Sequence, residues 1–274
     1  KTRLTKPLVR KNGELVEVPW EEGLRLAAKK MQSLKMQYGS DAVGISISDK
    51  FTNEEIYIAK KFAQDFLNTD YITSFNRNYD ASTNTFEELK LAEFILLVGS
   101  DVMKNHTIAA LKIKEAVQNG SKLFVINDFE SQVDDWAFKK INLENNVNIL
   151  KEILKAIIDL GFAPKNAHGF EELKNSLSHI VPSDEAKEIA NNYTNAKKAM
   201  IVFDQNYVTA DGAKLIADMA VVSGQVGKAR RGIIELKPKN NSQGLADLRI
   251  DRPSKDLIEA INNKEMYLVY QPKI

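Results

Sequence analysis

The amino-acid sequence predicts an α/β fold with mainly parallel sheets. Short apolar runs alternate along the chain with amphipathic segments of helical period, which is the pattern of parallel strands covered by helices on both faces. The chain has 274 residues, a length that corresponds to about two ordinary domains. Because 43% of these residues are hydrophobic, the sequence can fill such cores.

The first part of the chain contains two local signals that fix element boundaries. Asn12-Gly13 is typical of a two-residue hairpin turn, and Thr52 and Glu55 form a predicted capping box that opens a helix. The predicted elements here are hairpin strands at 8–11 and 14–18, a helix from about Trp20 to Gln37, a strand at 42–47 and a helix at about 52–67.

The rest of the chain repeats the order of apolar strand and amphipathic helix. The predicted strands are 94–98, 122–126, 200–203, 232–236 and 266–270, and the predicted helices lie near 106–118, 146–160, 170–178, 183–193, 210–223 and 254–262. Ligands of parallel sheets bind beyond the carboxyl ends of the strands. The loops that begin at Gly99, Asn127 and Asp204 are therefore candidate ligand loops on topology alone.

Composition and charge exclude several classes of function. There are 38 Lys and Arg against 37 Asp and Glu, so nothing favours nucleic acid or an anionic membrane surface. Cysteine is absent, which excludes disulfides and Cys-ligated iron–sulfur clusters within this sequence. His106, His168 and His179 lack ligand spacing, so no metal held by this chain alone is expected. No apolar run reaches the length of a membrane span. The sequence begins with Lys1 and is expected to be a piece of a longer polypeptide.

The segment Asn240–Asp247 is the most informative part of the sequence. It is rich in side-chain amides and glycine, and a basic stretch that includes Lys228 precedes it. Amides, free backbone N–H groups and cations together suit a phosphate-bearing heterocyclic cofactor, whereas the alternative is a polar surface loop. The earlier segment Gly224–Lys228 resembles a phosphate loop but lacks the Walker spacing, and Gly224 is better explained as the C-cap of a helix.

These motifs resemble those of the molybdopterin oxidoreductases, a family that includes formate dehydrogenases and the large iron–sulfur subunit of NADH–quinone oxidoreductase, respiratory complex I. Residues 223–247 are similar to the family's TG-x-x-G … NN-x-QGA-x-D signature, Thr52-Asn53-Glu54-Glu55 to its TNEE helix start, and Gly99 through His106 to its GSN…H loop. The cofactor implied by the resemblance is molybdopterin guanine dinucleotide. The implied cofactor-binding residues are Gly99, Ser100, Asp101, His106, Gly224, Gly227, Lys228, Asn240, Asn241, Gln243, Gly244 and Asp247.

The resemblance also implies how the chain divides into two Rossmann-like modules. Residues 1–74 and 199–274 would form an outer, discontinuous α/β domain, and residues 75–198 an inserted α/β domain. On this division the strand at 42–47 shares a sheet with 200–203, while the strands at 94–98 and 122–126 pair in the other sheet.

The sequence departs from active relatives where the metal chemistry takes place. Active relatives have a cysteine or selenocysteine followed by histidine where this chain has Tyr79 and Asp80, so Tyr79 falls at the metal-ligand position. A packed aromatic explains Tyr79 better than a phenolate ligand does. Asp128 and Glu130 would repel a pyrophosphate. The half-site at 127–147 is therefore expected to be eroded, and the half-site at 223–247 to be largely intact.

The function that the resemblance and these departures imply is a molybdopterin-oxidoreductase region of an electron-transfer subunit. The expected type is the large iron–sulfur subunit of NADH–quinone oxidoreductase, without metal chemistry of its own. An active bis-molybdopterin domain like that of formate dehydrogenase is the first alternative, and a non-catalytic scaffold or docking module is the second. The expected partners are other subunits or domains, including an iron–sulfur region, with no nucleic acid and no direct membrane insertion. The implied location is cytoplasmic, peripheral to the inner membrane through partner subunits.

Overall fold

The computed structural model describes residues 4–74, 80–142, 146–164, 167–250 and 252–271. In its first half the elements are β1 (Leu8–Lys11), β2 (Glu14–Glu17), α1 (Trp20–Tyr38), β3 (Val43–Ser46), α2 (Asn53–Lys61), β4 (Ile72–Thr73), α3 (Phe86–Leu89), β5 (Phe94–Val98), α4 (Val102–Asn105), α5 (Thr107–Gln118) and β6 (Lys122–Asn127). The remaining elements are β7 (Lys139–Asn142), α6 (Asn146–Asp159), α7 (Phe170–Ser176), α8 (Asp184–Asn195), β8 (Ala199–Asp204), α9 (Ala210–Val222), β9 (Gly232–Leu236), α10 (Ser242–Asp247), α11 (Ser254–Asn262) and β10 (Leu268–Tyr270).

The chain forms two compact units, one of which is discontinuous. The discontinuous unit comprises Lys1–Tyr79 and Lys239–Ile274, and the continuous unit comprises Asp80–Pro238. The discontinuous unit has a three-stranded parallel sheet in the order β10-β3-β4. Its core includes Ile45, Ile56 and Leu245, so both parts of the chain contribute to one hydrophobic cluster.

The hairpin and the capping box form as the sequence predicts. Strands β1 and β2 pair antiparallel around Asn12 and Gly13, whose φ angles of 51° and 89° are those of a tight hairpin turn. Helix α2 begins with the reciprocal hydrogen bonds of Thr52 and Glu55. A π-helical turn over Phe62–Leu67 continues it, where the sequence predicts a regular helix.

The continuous unit is built on a five-stranded parallel sheet in the order β7-β6-β5-β8-β9. Its three central strands are apolar and buried almost throughout, because helices cover both faces of a parallel sheet. The core around this sheet includes Leu97, Ile113, Val125 and Val202. The mainly parallel α/β fold and the pairing of 94–98 with 122–126 are thus confirmed.

The predicted pairing of strands 42–47 and 200–203 is wrong. Strand β8 lies beside β5, with Phe94 opposite Ala199 and Val98 opposite Phe203, and β3 instead pairs with β4 and β10. The boundary between the two compact units lies between residues 238 and 239. The resemblance implied a boundary between residues 198 and 199. A fully buried parallel strand has apolar residues on both faces, so its sequence pattern does not identify the sheet that it joins.

Candidate functional site

In the discontinuous unit, the two family-like motifs lie side by side. The Asn241 side-chain amide donates to the carbonyl oxygen of Phe51 at 2.7 Å and to Asn53 Oδ1 at 3.0 Å. The backbone N–H of Asn241 donates to the Asp49 carbonyl oxygen at 3.0 Å. The start of α2 and the segment before α10, which are 188 residues apart in sequence, therefore form one hydrogen-bonded structure.

A buried hydroxyl–carboxylate contact reinforces this junction. The Ser242 hydroxyl donates to Asp49 Oδ2 at 2.6 Å and accepts from the backbone N–H of Lys239 at 3.3 Å. Ser242 and Asp49 are both buried, so the bond is shielded from water. Sequence reasoning missed both residues, because a serine and an aspartate in polar loops give no signal of burial.

Gly244 is required by this junction. A Cβ added at Gly244 would lie 2.1 Å from Asn53 Oδ1 and 2.5 Å from Asn241 Oδ1. The resemblance implied that Gly244 binds the cofactor. In the structure, its backbone lies close to the Asn53 and Asn241 side chains.

The remaining polar residues of this segment are at the surface. Asn240, Gln243 and Asp247 are exposed, and the Gln243 amide donates to Asp247 Oδ1 at 3.0 Å. Asn241 therefore serves the fold, whereas Asn240 and Gln243 present amides on the outside of the discontinuous unit.

The predicted residues 224–228 lie in the continuous unit, on the turn between α9 and β9. Gly224 has φ of 69° and directly follows the C-cap Ser223, as the helix-end interpretation predicts. Gly227 has φ of 77°, and Lys228 is exposed. Since Asn240–Asp247 belong to the other unit, the single half-site at 223–247 stays a prediction.

Two residues near α3 hold this turn. Glu88 Oε1 accepts from the Arg230 backbone N–H at 2.7 Å, and the Asn84 amide donates to the Lys228 carbonyl oxygen at 3.3 Å. Hydrogen bonds from the Thr85 N–H and then the Arg230 N–H keep the pKa of Glu88 below its ordinary value. The turn is thus ordered by contacts within the continuous unit.

At the carboxyl edge of the five-stranded sheet, polar residues at the ends of β6 and β8 and in the loop after β5 bind each other. Asn127 Oδ1 accepts from the Ser100 N–H at 2.9 Å, and its amide donates to the Ser100 carbonyl oxygen at 3.2 Å. Asp204 Oδ2 lies 3.1 Å from His106 Nε2 and 3.5 Å from the Ser100 hydroxyl, and its Oδ1 accepts from Asn206 N–H at 2.9 Å.

This edge cluster brings together three predicted elements of the site. Gly99, with φ of 54°, turns the chain at the end of β5, and Asp101 directly precedes α4. The Asp204 side chain is fully buried and the His106 side chain is 14% exposed. Because Nε2 faces Asp204, the second ring nitrogen of His106 remains for another contact. The structure thus joins the loops that topology singled out, while their binding of a ligand stays a prediction.

A partly buried ionic cluster lies at the end of β9, also in the continuous unit. Lys237 Nζ is 2.7 Å from Asp80 Oδ1 and 3.5 Å from Glu235 Oε2. Glu235 Oε2 accepts from the Ala81 N–H at 2.9 Å, and the Ser82 hydroxyl accepts from the Glu235 N–H at 3.1 Å. Residues 80–83 therefore run along β9 and cover this outermost strand of the sheet.

Glu235 is the most unusual member of this ionic cluster. Its side chain is fully buried, and Oε1 has no hydrogen-bond partner among the described residues. Burial raises the pKa of the Glu235 carboxyl, and the Ala81 N–H and Lys237 only partly oppose this effect. A single acidic residue in the apolar strand Gly232–Leu236 was the available sequence signal, and sequence reasoning did not use it.

The structure tests several of the sequence predictions only in part. Tyr79 lies outside the described residues, whereas Asp80 is described and binds Lys237. Among the described residues, no group of three or more His, Cys, Asp or Glu side chains could hold a metal ion. No helix in the described part of the chain is long and apolar enough to cross a membrane.

Comparison with known proteins identifies the family. The molybdopterin oxidoreductase family matches residues 3–271. The chain is similar to the F420-dependent formate dehydrogenase subunit alpha of Methanocaldococcus jannaschii, at 29% identity over 90% of this chain and 41% of that protein. It is also similar to the putative formate dehydrogenase YrhE of Bacillus subtilis, at 26% identity over 90% of this chain and 29% of that protein.

The structure is similar to acetylene hydratase from Pelobacter acetylenicus, with a TM-score of 0.62, 17% identity, and coverage of 81% of this chain and 36% of that chain. This likeness supports the fold. The chain spans less than half the length of these relatives. Because the family match covers nearly the whole sequence, the chain belongs to the molybdopterin oxidoreductase family.

Proposed function

We propose that this chain is the molybdopterin-oxidoreductase region of an electron-transfer subunit that carries out no metal chemistry of its own. The proposed type is the large iron–sulfur subunit of NADH–quinone oxidoreductase. The observation that carries the proposal is the ion pair of Asp80 with Lys237 at 2.7 Å. The resemblance aligns Asp80 with the histidine of active relatives, and here that side chain takes part in a largely buried structural cluster.

The carboxyl edge of the five-stranded sheet does not suit a pyrophosphate. Asp101 and Asp128 follow β5 and β6, Asp204 is the last residue of β8, and carboxylates repel phosphate. The Ser100 N–H, a potential phosphate donor, already binds Asn127. His106 Nε2 already contacts Asp204 Oδ2 at 3.1 Å. Asn127 and Asp128 belong to the half-site at 127–147, so these features support the expected erosion of that half-site.

The surface of the discontinuous unit suits a guanine or pterin edge better. Asn240 and Gln243 present exposed amides, and Lys239 beside them is exposed. An amide offers both a donor and an acceptor, which matches the alternating edge of a guanine or pterin ring. We therefore propose that affinity for molybdopterin guanine dinucleotide, where it persists, resides at Asn240–Asp247.

A second candidate is an active domain like that of formate dehydrogenase. The relatives described above favour it, since both carry the name of a formate dehydrogenase and each matches 90% of this chain. The well-formed junction of the TNEE and NN-x-QG motifs also favours it. A scaffold or docking module is the remaining alternative.

The proposed partners are other subunits or domains of an oxidoreductase. One relative is named as a subunit alpha, which supports a multi-subunit assembly. The chain contains no cysteine, so an iron–sulfur region would lie elsewhere in the protein. We place this assembly in the cytoplasm, at the inner membrane only through its partner subunits.

Metal and pterin analysis of the purified full-length protein separates these candidates. We expect less than about one tenth of a molybdenum or tungsten atom per polypeptide, and no formate-dependent reduction of a dye. Stoichiometric metal with formate turnover would contradict our proposal and support the formate dehydrogenase-like candidate. A cluster-containing protein without metal, pterin or guanine-nucleotide affinity would support the scaffold alternative.

Guanine nucleotide binding tests the location of the cofactor surface. GMP and GDP are titrated against the full-length protein while hydrogen exchange is measured peptide by peptide. We expect protection over residues 240–247, weakened by salt because the contact is partly ionic. The variant Asn240→Ala should reduce this protection, whereas the control Asn195→Ala should not. Protection confined to 127–142 would contradict the proposed location.

A further inference from the structure

The discontinuous unit has a polar cavity beside strand β4. Its volume is about 480 Å³, and residues of α2, β4, the turn after α10 and the start of α11 line it. Three cationic side chains are part of this lining, those of Lys60, Arg249 and Arg252. Two carboxylates, those of Asp70 and Asp256, also line it. We call this space the arginine cavity.

The guanidinium group of Arg252 is held in a defined position at the cavity. Its Cζ atom lies 3.7 Å from the centre of the Tyr71 ring, and the Arg252 carbonyl oxygen accepts from the Thr73 hydroxyl at 2.7 Å. Asp256 Oδ2 is 3.6 Å from Arg252 Nε, which is within ion-pair range and too far for a hydrogen bond. A guanidinium stacked in this way is preorganised, so it loses little side-chain entropy when it binds an anion.

Arg249 occupies a backbone position that suits a different residue. It directly follows Leu248, the C-cap of α10, and has φ of 55°, in the left-handed region where glycine is preferred after a helix. Arg249 is exposed, and the described residues offer its guanidinium neither a hydrogen bond nor an ion pair. The local backbone therefore favours glycine at this position, whereas a bound anion would favour arginine.

Lys60 supplies the third cation of the cavity. Its Nζ donates to the Leu248 carbonyl oxygen at 2.8 Å, a bond that joins α2 to the end of α10. An ammonium group has three N–H donors, so two remain for another acceptor. Because Leu248 directly precedes Arg249, this bond holds the ammonium beside the backbone from which the Arg249 side chain extends.

We infer that the arginine cavity binds a phosphoryl group, either that of a phosphate monoester or free phosphate. Its cationic side chains outnumber its carboxylates, and Asp70 is exposed, so water weakens the repulsion that Asp70 exerts on an anion. Two guanidinium groups and one ammonium match the three terminal oxygens of a phosphoryl dianion. A carboxylate has two oxygens and a single charge, so it would use fewer of these donors.

Calorimetric titration of the full-length protein tests the ligand class, with inorganic phosphate, ribose 5-phosphate and acetate as probes at constant ionic strength. Ribose 5-phosphate carries no base, so it does not require the amides proposed to bind a guanine or pterin edge. We expect inorganic phosphate or ribose 5-phosphate to bind with a Kd of about 1 mM or lower, and acetate to bind at least about fivefold more weakly.

The two phosphate probes also distinguish the sources of the phosphoryl group. Tighter binding of ribose 5-phosphate would assign the cavity to an organic phosphate ester, and equal or tighter binding of inorganic phosphate would assign it to the free ion. Absence of binding of both probes up to about 10 mM, or binding of acetate as tight as that of phosphate, would overturn the inference.

Two glycine substitutions locate the site. Arg249→Gly and Lys264→Gly each remove a basic side chain from a left-handed residue that follows the C-cap of a helix, since Lys264 has φ of 59° and follows Asn263 at the end of α11. Arg249 lines the cavity, whereas its described lining does not include Lys264. We expect phosphate to bind at least about fivefold more weakly to Arg249→Gly and to change by less than about twofold for Lys264→Gly. Neither variant should lower Tm, because glycine suits both backbones. Equal phosphate affinities of the two variants would overturn the inference.

The substitution Asp70→Asn tests the sign of the electrostatic effect. Asp70 lines the cavity and is exposed, so an amide of similar size removes an opposing charge and leaves the packing unchanged. We expect phosphate to bind about two- to threefold more tightly to this variant, and the gain to shrink as the salt concentration rises. Weaker binding of phosphate by Asp70→Asn would overturn the inference.

Discussion

The substitution Lys237→Met tests whether the Asp80–Lys237–Glu235 cluster fixes the edge of the five-stranded sheet. The Lys237 side chain is 8% exposed and Glu235 is fully buried, so removal of the ammonium leaves a buried carboxylate beside an apolar methionine. Loss of one partner from a buried ion pair costs about 3–5 kcal/mol. Because Asp80 is 25% exposed and regains some hydration, we expect the lower end, about 3 kcal/mol.

The measurement is thermal unfolding of the full-length protein, combined with hydrogen exchange of the β9 peptide. A loss of about 3 kcal/mol corresponds to a decrease in Tm of roughly 6–12 °C for a domain of this size. Lys228→Met is the matched control in the same unit, since Lys228 is exposed, and it should change the stability by less than about 0.5 kcal/mol.

A double variant separates the cost of the unpaired buried charge from the loss of packing. Glu235→Gln removes the buried carboxylate, so the double variant with Lys237→Met should lose less stability than Lys237→Met alone. The reasoning about the cluster is refuted if Lys237→Met is no more destabilising than Lys228→Met, or if adding Glu235→Gln does not reduce the loss that Lys237→Met causes.

Three further predictions concern buried polar contacts and close packing. Since burial raises the pKa of Glu235 above 4.5, folding favours its protonated form, and the contribution of Glu235 to stability falls as pH rises above that value. Glu235→Gln removes this contribution, so the stability of the variant relative to the wild type in urea unfolding should be higher at pH 7 than at pH 4. Gly244→Ala should cost about 1–3 kcal/mol through the contact with Asn53, and Asn53→Gly in the same chain should recover part of it; additive losses would contradict this. Ser242→Ala should cost about 1–3 kcal/mol by removing a donor from buried Asp49, whereas a change below about 0.5 kcal/mol would show that the contact is not needed.

The sequence predicted local structure well where short-range chemistry determines it. Asn12-Gly13 and the Thr52–Glu55 capping box each specify a turn or a helix start through their own side chains, and the structure has both. The alternation of apolar strands and helices also predicted the parallel sheets. It did not assign β8 to its sheet, because β5 and β8 are apolar on both faces and either sheet could have accepted such a strand.

For the site as well, strand topology predicted some residues, whereas residues that depend on long-range contacts were missed. The rule that ligand loops follow parallel strands led to Asn127 and Asp204, which the structure joins to Ser100 and His106. The cluster around Glu235 was missed, because the partner of a buried carboxylate depends on a fold that brings together residues 154 apart in sequence.

The family-like motifs of the discontinuous unit have a structural reason to persist that is independent of any cofactor. Asn241 binds Asn53 and the Phe51 backbone, and Gly244 leaves the space that Asn53 occupies. A substitution of Asn53, Asn241 or Gly244 is therefore expected to disrupt the junction of α2 and α10 even in a protein that binds no molybdopterin. Asn240, whose exposed side chain makes none of the contacts described above, is the better indicator of cofactor binding, because the junction itself gives no reason for an amide at this position.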